Sequence, residues 1–210
     1  RVVELFSKYP QAGWLSHPLE WVFMDGSRRP NFKTDLPVKL IDFRRSFRFG
    51  SIKGNFSATS ALCFRKELIN KIFPIPEELR ITADNYIKYA GAGLSPMILV
   101  GECLAVQRIH GLNAYTLNAA KTSREIEIHL TIAEALFHRI SHSGLLSFRI
   151  AGRYLGIALQ NWGWKKTLQH ARRVSKSLEM PLFFGCGMLL GWGWLGSLKR
   201  KITRILRIQK

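Results

Sequence analysis

The sequence predicts a mixed α/β chain that gives way to a helical, strongly basic region over its last ninety residues. Three observations predict it. Short apolar runs of extended character alternate with amphipathic stretches between Pro and Gly punctuation as far as His110. After Lys121 apolar residues recur only at spacings of three and four. The charge changes at the same place, with 16 Lys and Arg against 10 Asp and Glu in residues 1–120 and 16 against 4 in residues 121–210.

With 210 residues, 47% hydrophobic and 22% charged, the chain can bury one sizeable core, or one domain plus an appendage. A mean hydropathy of -0.02 excludes both a disordered polyelectrolyte and a multi-span membrane protein. The net charge of +18 calls for an anionic partner, which narrows the choice to a phosphorylated ligand, a lipid surface or a nucleic acid. Cys63, Cys103 and Cys186 are odd in number and far apart. They argue against a disulfide framework or a zinc site and for a reducing compartment, with Cys63 and Cys103 expected in the core.

Val2, Val3, Leu5 and Phe6 form one face of a short helix that Pro10 ends. Trp14-Leu15 and Trp21-Val22-Phe23-Met24 read as extended structure closed by an Asp25-Gly26 turn. Residues 26–54 carry Arg28, Arg29, Arg44, Arg45 and Arg48 with no sustained period, which predicts a long basic loop with room for a short helix. Phe56 to Phe64 predicts a strand leading into a helix at Arg65-Lys66 that Pro74 stops. Thr82 is the expected N-cap of the next helix, through Tyr86, Ile87 and Tyr89 to Gly91, which places Asp84 in the first turn. Pro96 to Val100 reads as a buried strand, and Leu104 to His110 alternates into the turn Gly111-Leu112-Asn113. One long helix follows, with Ile126, Leu130, Ala133, Leu136, Phe137 and Ile140 on its apolar face. Basic amphipathic helices are predicted over 145–160 and 163–179.

Between Gly54 and Asn113 these pieces fall into a particular order: Gly54-Asn55, Arg65-Lys66 opening a helix, Ala83-Asp84-Asn85-Tyr86, a Gly turn, a strand, and Arg108-Ile109-His110-Gly111-Leu112-Asn113. The order resembles the second half of family 2 glycosyltransferases, the inverting enzymes of GT-A fold. The resemblance covers about residues 1–116. It implies an acceptor-side half of a GT-A domain there, followed by a helical C-terminal region over 117–210. It further implies that the nucleotide-binding half and its Asp-x-Asp metal motif lie upstream of Arg1, and that residues 1–210 alone carry no transfer activity. Asp25 and Asp42 are isolated and do not reproduce that motif.

By resemblance Asp84 is the base that takes the proton from an acceptor hydroxyl. Read from the sequence alone, it equally suits the positive end of a helix dipole. Asn55, Arg65, Arg108 and His110 are the implied substrate-binding residues. Arg108 and His110 alternate on a strand, so they share a face and can meet the departing diphosphate together. His110 is also the implied ligand for Mg²⁺ or Mn²⁺, most of whose shell would come from the upstream half. A strand-end histidine bonded to a carbonyl is the competing reading of His110, and Lys66 reads as a surface charge. His138 and His142, four apart with no third ligand, read as a solvated face.

The implied partners are a nucleotide-sugar donor and a saccharide or lipid-linked acceptor, in synthesis of a cell-envelope polysaccharide or glycolipid. The other classes consistent with the charge are a nucleic-acid-binding module and a membrane-anchored scaffold without activity. Against nucleic acid stands the lack of any zinc finger, RNP motif or Gly-x-x-Gly loop. Pro181 to Leu198 is uncharged and would span about 27 Å as a helix, just short of a hydrocarbon core of about 30 Å. Five glycines in that run, the pairs Trp162/Trp164 and Trp192/Trp194, and the six Lys and Arg of residues 199–210 favour an interfacial helix or hairpin over a span. The expected location is therefore the cytoplasmic face of the cell membrane, peripheral or monotopic on an anionic leaflet.

Overall fold

The computed structural model describes residues 1–34, 36–52, 56–79, 82–110 and 122–180. The chain divides into two compact units. The first comprises residues 1–47, 51–75 and 82–120, and the second 48–50, 76–81 and 121–210.

The first unit begins with α1 (Val2–Lys8), which has Glu4 in its first turn and Lys8 in its last, each charge complementing the helix dipole. It is built around two small sheets. One has the order β4-β6-β1-β5, from β1 (Trp14–Ser16), β4 (Lys39–Ile41), β5 (Leu62–Phe64) and β6 (Met97–Leu99). Here β1 runs parallel to β6 and antiparallel to β5, and β4 is antiparallel to β6. The other has the order β3-β2-β7, from β2 (Leu19–Phe23), β3 (Arg28–Pro30) and β7 (Ala105–Ile109), with β2 parallel to β7.

All three residues of β1 are buried, because the first sheet is covered on both faces. Leu15, Cys63 and Ile98 share one face by register and pack with Leu5, Ala12 and Val100, so that α1 seals that side. Trp14, Phe64 and Met97 share the other. Trp14 stacks on Phe64 with ring centroids 5.7 Å apart, and helix α4 (Ala83–Leu94) lies against the pair through Gly91. A Cβ at Gly91 would sit 3.3 Å from the Phe64 ring, so the absent side chain sets how closely helix and sheet approach. Trp14 is fully buried, and truncating such a side chain costs about 3–5 kcal/mol.

The β2-β3 hairpin turns at Gly26, where φ is +81°. Asp25 accepts from the Ser27 backbone N–H at 2.9 Å and from its hydroxyl at 2.6 Å, so Asp25 is a turn residue. The segment expected as one basic loop thus contains β3, β4 and α2 (Arg44–Arg48). Asp42 sits just ahead of α2, bonded to the Arg44 backbone and guanidinium, which holds its carboxyl below the usual range. The strand expected from Phe56 to Phe64 is confined to Leu62–Phe64, with a turn of 3₁₀ helix at Thr59–Ala61 before it and α3 (Lys66–Ile72) after. Cys63 is half-buried, and burial raises its thiol pKa. Cys103 corrects the expectation of a core position, since it is exposed.

The second unit contains α5 (Thr122–Arg139) and α6 (Gly144–Ser177), packed along their lengths. Ile126, Leu130, Ala133 and Leu136 of α5 are buried, as are Leu146, Ile150, Ala151, Leu155 and Ala158 of α6, the three-and-four spacing that one apolar stripe requires. His129 stacks on Tyr154 at 3.9 Å. The two helices expected over 145–160 and 163–179 form one tract broken at Gly163, with φ 75° and ψ 175°. The run from Pro181 to Leu198 and the tail 199–210 lie outside the described residues.

Candidate active site

The polar centre of the first unit forms at the start of α4. Thr82 occupies the expected N-cap position without capping: its side chain makes no cap hydrogen bond and its backbone is left-handed, φ 55° and ψ 27°. A β-branched residue adopts that conformation at a cost of about 1–3 kcal/mol. Two residues on, the Asp84 carboxylate accepts from the Lys88 ammonium through Oδ2 at 2.8 Å. Both side chains are largely withdrawn from solvent, at 14% and 10% exposure.

Lys88 sits on the face of α4 that also carries the buried Tyr86, Ile87, Ala90, Gly91 and Ala92. Its stem therefore crosses apolar packing, and only the ammonium finds polar company. It donates a second bond, at 3.4 Å, to the Ser57 carbonyl. Ser57 in turn donates from its hydroxyl to the His17 carbonyl at 2.5 Å, and the His17 ring donates from Nδ1 to the Pro18 carbonyl at 2.7 Å. A chain of polar contacts thus links α4, the segment ahead of β5 and the segment after β1. Among the described residues Lys88 is the hydrogen-bond partner of Asp84, and the bond occupies Oδ2. Oδ1 has no hydrogen-bond partner among the described residues.

The other sequence-predicted residues occupy separate settings. Arg65, the N-cap residue of α3, donates through Nε to the Ala12 carbonyl at 2.8 Å and through Nη2 to the Phe6 carbonyl at 2.5 Å, with its guanidinium 4.7 Å from the Phe6 ring. It also lines a shallow cleft of about 160 Å³ with Gln11, Glu67, Lys71 and Ser95. That cleft touches Leu94, at the far end of α4 from Asp84; ten residues at 1.5 Å rise put the two about 15 Å apart. Arg108 is exposed on β7, in register with Val22 of β2, and shares a sheet face with the exposed Val106. His110 follows β7 and is exposed, at the carboxyl end of the parallel β2/β7 pair. Asn55 lies outside the described residues.

Among the described residues no group of three or more His, Cys, Asp or Glu side chains converges as a cation site would require. His110, the implied ligand, is exposed, as are His138 and His142, and none of the three lies in such a group.

Sequence reasoning missed Lys88, Ser57 and His17. Lys88 had a signal, the i,i+4 spacing from Asp84. The contacts of Ser57 and His17 had none, because they run through backbone carbonyls brought together by the fold.

These features define a mixed α/β protein with open sheets and a carboxylate–ammonium pair at the head of a buried helix. Over 71 residues it is 42% identical to an uncharacterized glycosyltransferase of Nostoc sp. (strain PCC 7120), a stretch that makes up 33% of this chain and 22% of that protein. The matched chain thus spans about a fifth of its relative's length. No protein-family profile and no solved structure matches it.

Proposed function

We propose that the chain is the acceptor-side part of an inverting glycosyltransferase of GT-A fold, moving a sugar from a nucleotide-sugar to an acceptor hydroxyl in polysaccharide or glycolipid synthesis at the cytoplasmic face of a membrane. The partial likeness to a protein described as a glycosyltransferase supports glycosyl transfer in general. The observation that carries the mechanism is the Asp84 carboxylate, held through one oxygen by Lys88 with the other left to act.

In this reading Asp84 Oδ1 accepts the acceptor's hydroxyl proton as that oxygen bonds to the anomeric carbon. The bond from that carbon to the donor diphosphate breaks on the opposite side, and its electron pair leaves with the diphosphate. Lys88 holds the carboxylate in one orientation, so the base does not have to be ordered at the moment of reaction. Arg108 and His110 are the cationic and hydrogen-bonding groups assigned to the leaving diphosphate. Asn55 and Arg65 are assigned to substrate, Arg65 through Nη1, which neither carbonyl engages. A divalent cation bound chiefly by residues outside this set belongs to the same proposal.

The test is Asp84→Asn in the full-length natural protein, with nucleoside diphosphate release followed over a panel of UDP-, GDP- and dTDP-sugars. Turnover should fall by about 10²–10⁴-fold while donor affinity stays within about twofold. Turnover near that of the unaltered protein would overturn the assignment.

A further inference from the structure

The surface of the second unit carries a corner with no counterpart in the catalytic reading. At Gly163 the helix α6 breaks, and a Cβ placed there would meet nothing within 4 Å. The corner is nonetheless fixed from both sides. Before the break, the Trp162 indole N–H donates to the Ser123 hydroxyl at 2.8 Å, and the Lys166 ammonium lies 4.3 Å from the Trp162 ring. After it, the buried Thr167 donates to the Gly163 carbonyl at 2.7 Å.

What the corner holds out is Trp164, 59% exposed, with no ring or hydrogen-bond partner among the described residues. Lys165 and Lys166 beside it are exposed, and neither has a carboxylate partner among those residues. Arg124, next to Ser123, is exposed as well. Residues 122–180 hold nine Lys and Arg against four Asp and Glu, so the surroundings add to this positive field.

We propose that Trp164, with Lys165, Lys166 and Arg124, is a docking point for an anionic lipid bilayer. An indole on a rigid corner settles at the level of the headgroups, where its ring is half solvated and its N–H can find an acceptor. The flanking cations meet the anionic phosphates around it. Nucleic acid fits less well, because stacking on bases calls for several free ring faces and the Trp162 ring is already covered by Lys166. No described helix is long and apolar enough to cross a membrane. The proposal rests on the reading that transfer takes place at a lipid surface, and it names the surface that meets the lipid.

The test is flotation of the whole chain with vesicles of phosphatidylcholine alone and with about one third phosphatidylglycerol. The variants are Trp164→Ala and Lys165→Glu/Lys166→Glu, with circular dichroism as the check on folding. The unaltered chain should float with the anionic vesicles, and added salt should release it. Trp164→Ala should bind at least about threefold more weakly, and each lysine lost should cost roughly fivefold. Folded variants that float like the unaltered chain would overturn the docking point and leave the lipid-surface reading standing. An unaltered chain that stays in solution would overturn both. Binding of a single-stranded oligonucleotide, but not of vesicles, weakened by the same substitutions would overturn the proposal in favour of nucleic acid.

Discussion

Asp84 and Lys88 stand one helical turn apart on α4 and form an ion pair of 2.8 Å that is almost wholly withdrawn from solvent. Lys88, at 8% exposure, is the one charged residue among the buried described residues. Two charges are kept out of water only when each satisfies the other, and the desolvation both have incurred makes losing one worse than losing both.

Lys88→Met should therefore destabilise the chain by about 3 kcal/mol, because it strands the Asp84 carboxylate. Combining it with Asp84→Asn should cost less than the sum of the two single changes. A double-mutant cycle from urea unfolding measures this coupling, and strict additivity would show that the pair does not act as a unit.

Arg65 separates structure from chemistry. Its bonds to the Phe6 and Ala12 carbonyls tie the end of α1 to the start of α3. Arg65→Ala should lower stability by about 2–3 kcal/mol, the range for charge-assisted hydrogen bonds. If Arg65 also binds substrate, donor or acceptor KM rises in a variant kept folded by working at low temperature; an unchanged KM restricts it to the tether.

Glu134 on α5 gives the second unit a pH dependence. Burial raises its carboxyl pKa above the ordinary 4.5, opposed by Arg173 with Nε 3.3 Å away and by His138 and His170. Because the folded form holds the proton more tightly than the unfolded chain, this site favours folding below about pH 4.5 and loses that contribution as pH rises through the raised value. Glu134→Gln removes the penalty, since Arg173 is half exposed and needs no partner. Its melting temperature should exceed that of the unaltered chain at pH 7–8, with the gap closing towards pH 4. A gap that widens in acid would reverse the sign of the assignment.

Periodicity made the long elements legible. The helical spacing after Lys121 locates α5, and Gly163 between two tryptophans marks where α6 breaks. The alternation from Leu104 to His110 gives β7, and Pro10 closes α1. The strands Arg28–Pro30 and Lys39–Ile41 escaped notice because three largely exposed residues carry no period; they are strands only by virtue of the neighbours that β2 and β6 supply. Thr82 was legible as a boundary and not as a conformation, since no cap preference foretells a left-handed threonine. The place of Asp84 in the first turn of α4 was legible from the helix boundary, whereas the Ser57 and His17 contacts that support its partner depend on residues far apart in sequence.

The parallel pairings described for the first unit have a consequence for how it is made. Trp14 pairs with Met97 and Leu19 with Ala105, so β1 and β2 each wait for a parallel partner more than eighty residues downstream. At about 5–20 residues per second, a ribosome takes roughly 4–16 s to deliver that partner. During that interval the fully apolar Trp14-Leu15 and the aromatic Trp21-Val22-Phe23 each keep at least one hydrogen-bonding edge open, the state most prone to pair with a neighbouring nascent chain, even once β5 and β3 have closed the other edge. Yield in the cell should therefore depend on chaperone supply and translation speed more than on the stability of the finished fold.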